Sequence, residues 1–313
     1  RQRILIRTSN RAKRIEEFGV MRILSRAKAL EASGKKVIRL EIGESDFGLP
    51  EPIKRGALEA IQKGYSSYTE AQGLLCLREK ICEFYDESFG VSVDPGRVFI
   101  TTGASGGLLL LTTLLLNKGE NLLLPDPGYP CNANYVLASN ANPVLVPVDS
   151  RTGFKLIPEL LSEHWRPNTR GLLIGSPANP TGAVYSDQEL RELFKSVEAN
   201  SGFLLSDEVY QGINFYPQDW STALNVSPEI FVINSFSKLF GMSGWRLGWL
   251  VVPENTCSDL LKLAQSFFIC APSISQYAAL TAFNDETQVI VRNQVDTLIK
   301  RKEFLVEALT GIG

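Results

Sequence analysis

The chain has 313 residues, 44% of them apolar and 21% charged, the make-up of an ordinary soluble globular protein with one large domain and part of a second. Its net charge of −2 removes the electrostatic motive for binding nucleic acid or an anionic membrane. No uninterrupted apolar stretch is long enough to span a bilayer, and the single histidine, His164, leaves no His-rich metal site.

Taken in order, Ile15–Ser33 carries Val20, Ile23, Leu24, Ala27 and Leu30 at helical spacing, with Gly34 as a stop. Val37–Ile42 reads as a short strand running into the loop Gly43–Pro50. Gly43 is there either as a turn residue or because the backbone approaches a ligand. Tyr65 to Thr69 precedes a polar loop, and Leu74–Phe89 is a helix with Leu77, Ile81, Phe84 and Tyr85 on one face. The tyrosines at 65 and 68 fit surface or interface positions.

Val98–Thr101 predicts a strand, followed by a small-residue loop, Thr102–Gly107, and the apolar helix Leu108–Leu116. Such a loop presents free N–H groups to a phosphate, but it equally fits a tight turn with close helix–sheet packing. Its glycine spacing does not match a dinucleotide fingerprint. Asn121–Leu124, Pro143–Val148 and Gly171–Ile174 read as further strands, and the third runs into Gly175–Gly182, which contains Asn179. Ser186 and Glu189 form a capping box ahead of a helix with Leu190, Leu193, Phe194 and Val197 inward. Phe203–Leu205 is a strand ending in Ser206-Asp207-Glu208-Val209-Tyr210. An acid at a buried strand end is costly unless paired or used; the alternative for Asp207 is a helix N-cap.

The stretch Asn234–Gly248 lies between two further strands, Ile230–Ile233 and Trp249–Val252. It holds Ser235, Ser237, Lys238 and Arg246 just beyond a strand end, where α/β sheets keep their active sites. The two hydroxyls and the guanidinium suit a phosphate, leaving Lys238 free for covalent chemistry with a carbonyl. Ser258–Phe268, Ser273–Phe283 and Glu286–Leu309 read as closing helices, the last with Val291, Val295, Leu298, Leu305 and Leu309 on one side. Continuous apolar strands alternating with helices describe an α/β fold with a mostly parallel sheet covered on both faces.

Five cysteines (Cys76, Cys82, Cys131, Cys257, Cys270) are odd in number and lack CxxC spacing, so they read as reduced thiols in a cytoplasmic protein. The basic N-terminus, with Arg1, Arg3 and Arg7, lacks the apolar core of a secretory signal. A Ser-His-Asp triad would have to use His164, which sits in a polar segment and reads as a surface residue.

One site would collect the Gly103–Ser105 loop, Asn179, Asp207, Tyr210, Ser235, Ser237, Lys238 and Arg246: phosphate donors beside a lysine, an acid, a phenol and an amide. Pyridoxal 5′-phosphate needs both groups. The motifs Ser235-x-Ser237-Lys238 with Gly244-x-Arg246-x-Gly248, Asn179-Pro-Thr-Gly182 and Asp207-Glu-Val-Tyr210 resemble those of the fold-type I pyridoxal-phosphate aminotransferases of class I/II, from about Ile15 to the chain end. The resemblance implies a seven-stranded large domain over residues 49–283. It also implies an N-terminal arm with part of the small domain over 1–48, and a connecting helix over 284–313 that opens a small domain otherwise absent.

The resemblance further implies transamination between an amino acid and a 2-oxo acid through a Lys238 Schiff base, with Asp207 on the pyridinium and Asn179 and Tyr210 on the ring oxygen. Tyr129 would stack on the ring, and Gly103, Ala104, Ser105, Ser235, Ser237 and Arg246 would hold the phosphate. Lys238, Asp207 and Tyr210 are the implied catalytic residues; Gly43 and Asn179 would face the substrate, and no metal is implied. Tyr68 resembles the tyrosine that reaches the phosphate of a partner subunit, implying a homodimer. The family's carboxylate-binding arginine is not assigned. A carbon–sulfur β-lyase of the same fold and a catalytically silent cofactor-binding homologue remain alternatives.

Overall fold

The structure is a computed structural model and describes residues 6–213, 215 and 221–312; the arginines at 1 and 3 lie outside the described residues. Its centre is one seven-stranded sheet. The strands are β1 (Val98–Thr101), β2 (Asn121–Asp126), β3 (Asn142–Pro147), β4 (Thr169–Gly175), β5 (Phe203–Asp207), β6 (Phe231–Ser235) and β7 (Gly248–Val251). Their order across the sheet is β1-β7-β6-β5-β4-β2-β3. β7 runs antiparallel to both β1 and β6, and the other pairs are parallel. Six strands therefore point one way. Gly175 pairs with Asp207 and Ser235 with Gly248, so strand ends bearing the unusual residues lie side by side at one edge.

Successive strand residues feed two cores. Ile100, Leu172, Ile174, Leu204, Val232 and Trp249 belong to one. Phe99, Leu173, Leu205, Phe231, Ile233 and Leu250 belong to the other. Side chains alternate across a strand, so a run apolar at every position must be covered on both faces.

The helices supply that cover: α1 (Asn10–Arg14), α2 (Gly19–Ala32), α3 (Glu51–Gln62), α4 (Leu75–Phe89), α5 (Gly103–Leu115), α6 (Cys131–Ala138), α7 (Pro158–His164), α8 (Asp187–Ala199), α9 (Cys257–Phe268), α10 (Ser273–Ala279) and α11 (Asp285–Thr310). Leu77, Ile81 and Tyr85 of α4 are fully buried. The capping box of α8 is formed, with Leu190, Leu193, Phe194 and Val197 buried. No helix among the described residues is long and apolar enough to cross a membrane.

Three expectations are corrected. Val37–Ile42 forms no strand; Ile38 and Leu40 stand 80% and 90% exposed, and no neighbouring strand pairs with the segment. Thr102–Gly107 is not a loop, because α5 already starts at Gly103. Glycine is a poor helix former, and here packing of Gly103, Gly106 and Gly107 in the interior overrides that preference. The helix expected over Ser273–Phe283 ends at Ala279. On α11, Val291 is buried while Leu305 and Leu309 are each 55% exposed, so its apolar side is covered only near its start.

Candidate active site

A cavity of about 830 Å³ opens at the sheet edge where those strand ends meet. Ala104, Ser105, Tyr129, Asn179, Asp207, Tyr210, Ser235, Ser237, Lys238, Arg246 and Gly43 line it. These residues come from segments spread over two hundred positions of sequence, and the parallel sheet gathers them by ending its strands together.

One side of the cavity is built for an anion. The first N–H groups of an α-helix have no intrahelical acceptor, and α5, starting at Gly103, brings Ala104 and Ser105 to the cavity. Beside them the Ser235 hydroxyl donates to Ser237 Oγ at 2.9 Å and accepts the Ser237 N–H at 3.0 Å. The Arg246 guanidinium donates to the Ser243 carbonyl at 2.9 Å. Arg246 itself holds φ +52°, a left-handed conformation that a non-glycine residue adopts at a cost, and such strain gathers at functional sites.

Gly103 and Gly248 make this convergence possible. A Cβ on Gly103 would lie 2.5 Å from Arg246 Nη2, at a φ of +69° that also favours glycine. One on Gly248 would lie 2.8 Å from the Ala104 N. Gly103→Ala is therefore expected to displace the guanidinium and weaken binding of a phosphate ligand by about tenfold or more, read by fluorescence titration, with the fold retained by circular dichroism.

The other side carries the reactive groups. Asp207 ends β5 and receives one hydrogen bond, from the Val209 N–H at 3.2 Å. Burial pushes its carboxyl up to about 6, and no cation faces it among the described residues. The carboxylate is thus suited to a cationic ligand. Asn179 Nδ2 donates to the Tyr210 hydroxyl at 3.3 Å. Burial, and next the charge of Asp207, push the Tyr210 phenol up.

Lys238 Nζ donates to the Gly43 carbonyl at 2.9 Å and lies 5.8 Å from the centre of the Tyr210 ring. Burial lowers its pKa, with Arg246 acting in the same direction and Glu44 opposing. A lysine held this way releases its proton more readily and becomes a nucleophile or base. Glu44 bonds the Ser243 hydroxyl, which ties the Gly43 loop to the lysine loop.

Two anticipated residues stand apart from the rest. Gly103 backs the cavity through Arg246 rather than lining it. Tyr68 is 78% exposed and does not line the cavity of its own chain. Several lining residues were not anticipated. Phe18 packs nearly perpendicular to the Tyr129 ring with centroids 5.7 Å apart, and Asn132 brings a buried Oδ1 without a hydrogen-bond partner. Asn132 and Tyr135 ride on α6, whose three-residue and four-residue spacing of Ala133, Val136 and Leu137 was the available signal.

Residues 35–313 match the profile of the family described as aminotransferase class I and II. The chain is 35% identical over 308 residues to a (5-formylfuran-3-yl)methyl phosphate transaminase of Methanocaldococcus jannaschii, covering 97% of this chain and 80% of that one. It is 35% identical over 301 residues to a valine–pyruvate aminotransferase of Mycobacterium tuberculosis, covering 96% and 77%. The crystal structure of an aminotransferase from Mycobacterium tuberculosis superposes with a TM-score of 0.94 at 34% identity, covering 99% of this chain and 80% of that one.

Proposed function

The chain belongs to the class I and II aminotransferase family, and on that premise we propose that it moves an amino group between an amino acid and a 2-oxo acid with Lys238 as the acting amine. The family's cofactor is pyridoxal 5′-phosphate. The donors in the cavity fit that group: an anion cradle, a half-buried carboxyl with no cation beside it among the described residues, and an amide–phenol pair stand around one lysine. When bound, the cofactor supplies an aldehyde carbon for an amine to attack and a protonated ring that draws electrons from the substrate's α-carbon.

The residues divide the work. The amides of Gly103, Ala104 and Ser105, the hydroxyls of Ser235 and Ser237 and the Arg246 guanidinium would hold the phosphate. Asp207 would hold the proton on the ring nitrogen, trading an uncompensated buried charge for an ion pair. Asn179 and Tyr210 would donate to the ring oxygen, and Tyr129 would cover the ring face. Lys238, whose pKa burial lowers, would take the substrate's α-proton and return a proton. The Gly43 carbonyl and Asn179 border the space left for the substrate.

The observation that carries this reading is the Lys238 amine, reached by the Gly43 carbonyl, in one cavity with Asp207 and the serine–arginine cradle. The test is spectroscopic. The protein with pyridoxal phosphate should show a visible band, one amino acid should bleach it with release of one equivalent of 2-oxo acid, and a second 2-oxo acid should restore it. A protein that stays colourless, or that makes pyruvate and ammonia without an acceptor, overturns the proposal.

The same reading takes residues 49–283 as the cofactor-binding domain, 1–48 as an arm with part of the small domain, and 284–313 as the helix leading to that domain. It takes the enzyme as a homodimer with Tyr68 reaching the partner's phosphate, supported by its exposure outside its own cavity. A cytoplasmic location fits the five unpaired thiols.

A further inference from the structure

Next to Asp207 stands a second acid that the mechanism leaves unused. Glu208 is 1% exposed and has no cationic partner among the described residues. Its Oε1 accepts the Ala223 N–H at 2.7 Å and the Ser206 hydroxyl at 3.2 Å. Its Oε2 accepts the Thr222 hydroxyl at 2.8 Å and Gln211 Nε2 at 3.0 Å.

The network continues in one direction. Gln211 Nε2 also donates to the Ser221 carbonyl at 2.8 Å, so both hydrogens of that amide are used. Its oxygen is left to accept, and it takes Asn234 Nδ2 at 3.0 Å. That donation turns Asn234 Oδ1 toward the Ser235 N–H, which it accepts at 2.7 Å. The Tyr85 hydroxyl receives Trp249 Nε1–H at 3.1 Å. Gln211 and Asn234 are each 4% exposed, so water does not compete for these bonds.

A carboxylate only accepts, whereas an amide can face either way. The two acceptors at one end of the chain, the Glu208 carboxylate and the Ser221 carbonyl, therefore decide the direction of every bond along it. We propose that Glu208 is a positioning residue for the phosphate cradle: by helping to fix which way Gln211 and Asn234 face, it holds the backbone amide of Ser235, the residue whose hydroxyl stands in the cradle. The inference rests on the reading of Ser235 and Ser237 as phosphate ligands.

With an amide at 208, an NH₂ group faces donors. Gln211 then keeps only the Ser221 carbonyl to hold its facing; where it turns over, Asn234 follows, and an NH₂ group meets the Ser235 N–H. The cradle loses its register while Lys238 and its aldehyde chemistry stay in place.

The test compares two ligands of the apoprotein, pyridoxal phosphate and phosphate-free pyridoxal, by equilibrium fluorescence titration. Glu208→Gln should weaken pyridoxal phosphate by about tenfold or more and pyridoxal by less than about twofold. Gln211→Met, which cuts the chain at its middle with an apolar side chain of similar length, should give the same split, and it carries the test if the first variant does not fold. The double variant should be no worse than either single, because both break one chain. Equal losses for both ligands would mean a general packing defect and overturn the proposal, as would no loss for either. Ser235→Ala separates the two levels: if it too leaves pyridoxal phosphate affinity unchanged, the phosphate reading itself falls, whereas a loss there with none in Glu208→Gln removes only the positioning role.

Discussion

Lys238→Ala is expected to lower the rate of amino transfer by about 10⁴-fold or more while leaving much of the affinity for pyridoxal phosphate. The rate argument has two parts. A positioned base contributes on the order of 10²–10⁴ by itself, and the covalent role of the amine is lost with it. The affinity argument is spatial. Arg246, Ser235, Ser237 and the start of α5 share no hydrogen bond with Lys238, whose amine bonds the Gly43 carbonyl. Borohydride reduction followed by mass spectrometry should find the cofactor fixed on residue 238 in the native protein and no adduct in the variant. An adduct that persists in the variant would assign the chemistry to another lysine.

Asp207→Asn should move function and stability in opposite directions. Catalysis should fall by about 10²-fold or more, since an amide does not hold the ring nitrogen's proton as a carboxylate does. The apoprotein should gain stability. Burial pushes the Asp207 carboxyl up to about 6, while an unfolded aspartate titrates near 3.9. Between those values the folded state holds the proton and the unfolded state does not. Stability therefore falls as pH rises from about 4 to 6 and stays reduced above.

A shift of about two units corresponds to about 3 kcal/mol, and asparagine removes it. The apo variant should thus melt above the native apoprotein at pH 8, with a smaller gap at pH 5. Glu208, pushed up to about 7 by burial, adds a slope of the same sign to both proteins and cancels in the comparison. Cofactor reverses the order, because only the native protein gains the ion pair. Calorimetry at the two pH values, with and without pyridoxal phosphate, checks all four cases. A variant less stable than the native apoprotein at both would remove the argument.

The two acids show where reading the sequence stops. Asp207 ends β5 and Glu208 follows it; the sequence singled out Asp207 and left Glu208 without a role. Asp207 lines the cavity, whereas Glu208 accepts bonds from Ser206, Gln211, Thr222 and Ala223 in the interior. The early start of α5 was hidden because glycines argue against a helix, and only packing against Arg246 and β7 shows why they are there. Val37–Ile42 looked like a strand because its apolar run has the right length, but a strand also needs an edge to pair with.

What the sequence by itself determined was local and chemical. Continuous apolar runs gave the strands, a capping box gave the start of α8, and the Ser-x-Ser-Lys, Asn-Pro-Thr-Gly and Asp-Glu-Val-Tyr motifs marked the residues proposed to hold the cofactor. Each depends on residue type and short spacing, which periodicity and propensity encode directly. The tertiary structure alone decided which of these groups face one another. Strand order brings Asp207 and Ser235 to the same sheet edge, the Gly43 carbonyl reaches a lysine 195 positions away, and buried amides transmit an orientation from Glu208 to Ser235. Those contacts come from closing long loops around a shared core, and their partners leave no mark on the local pattern of either segment.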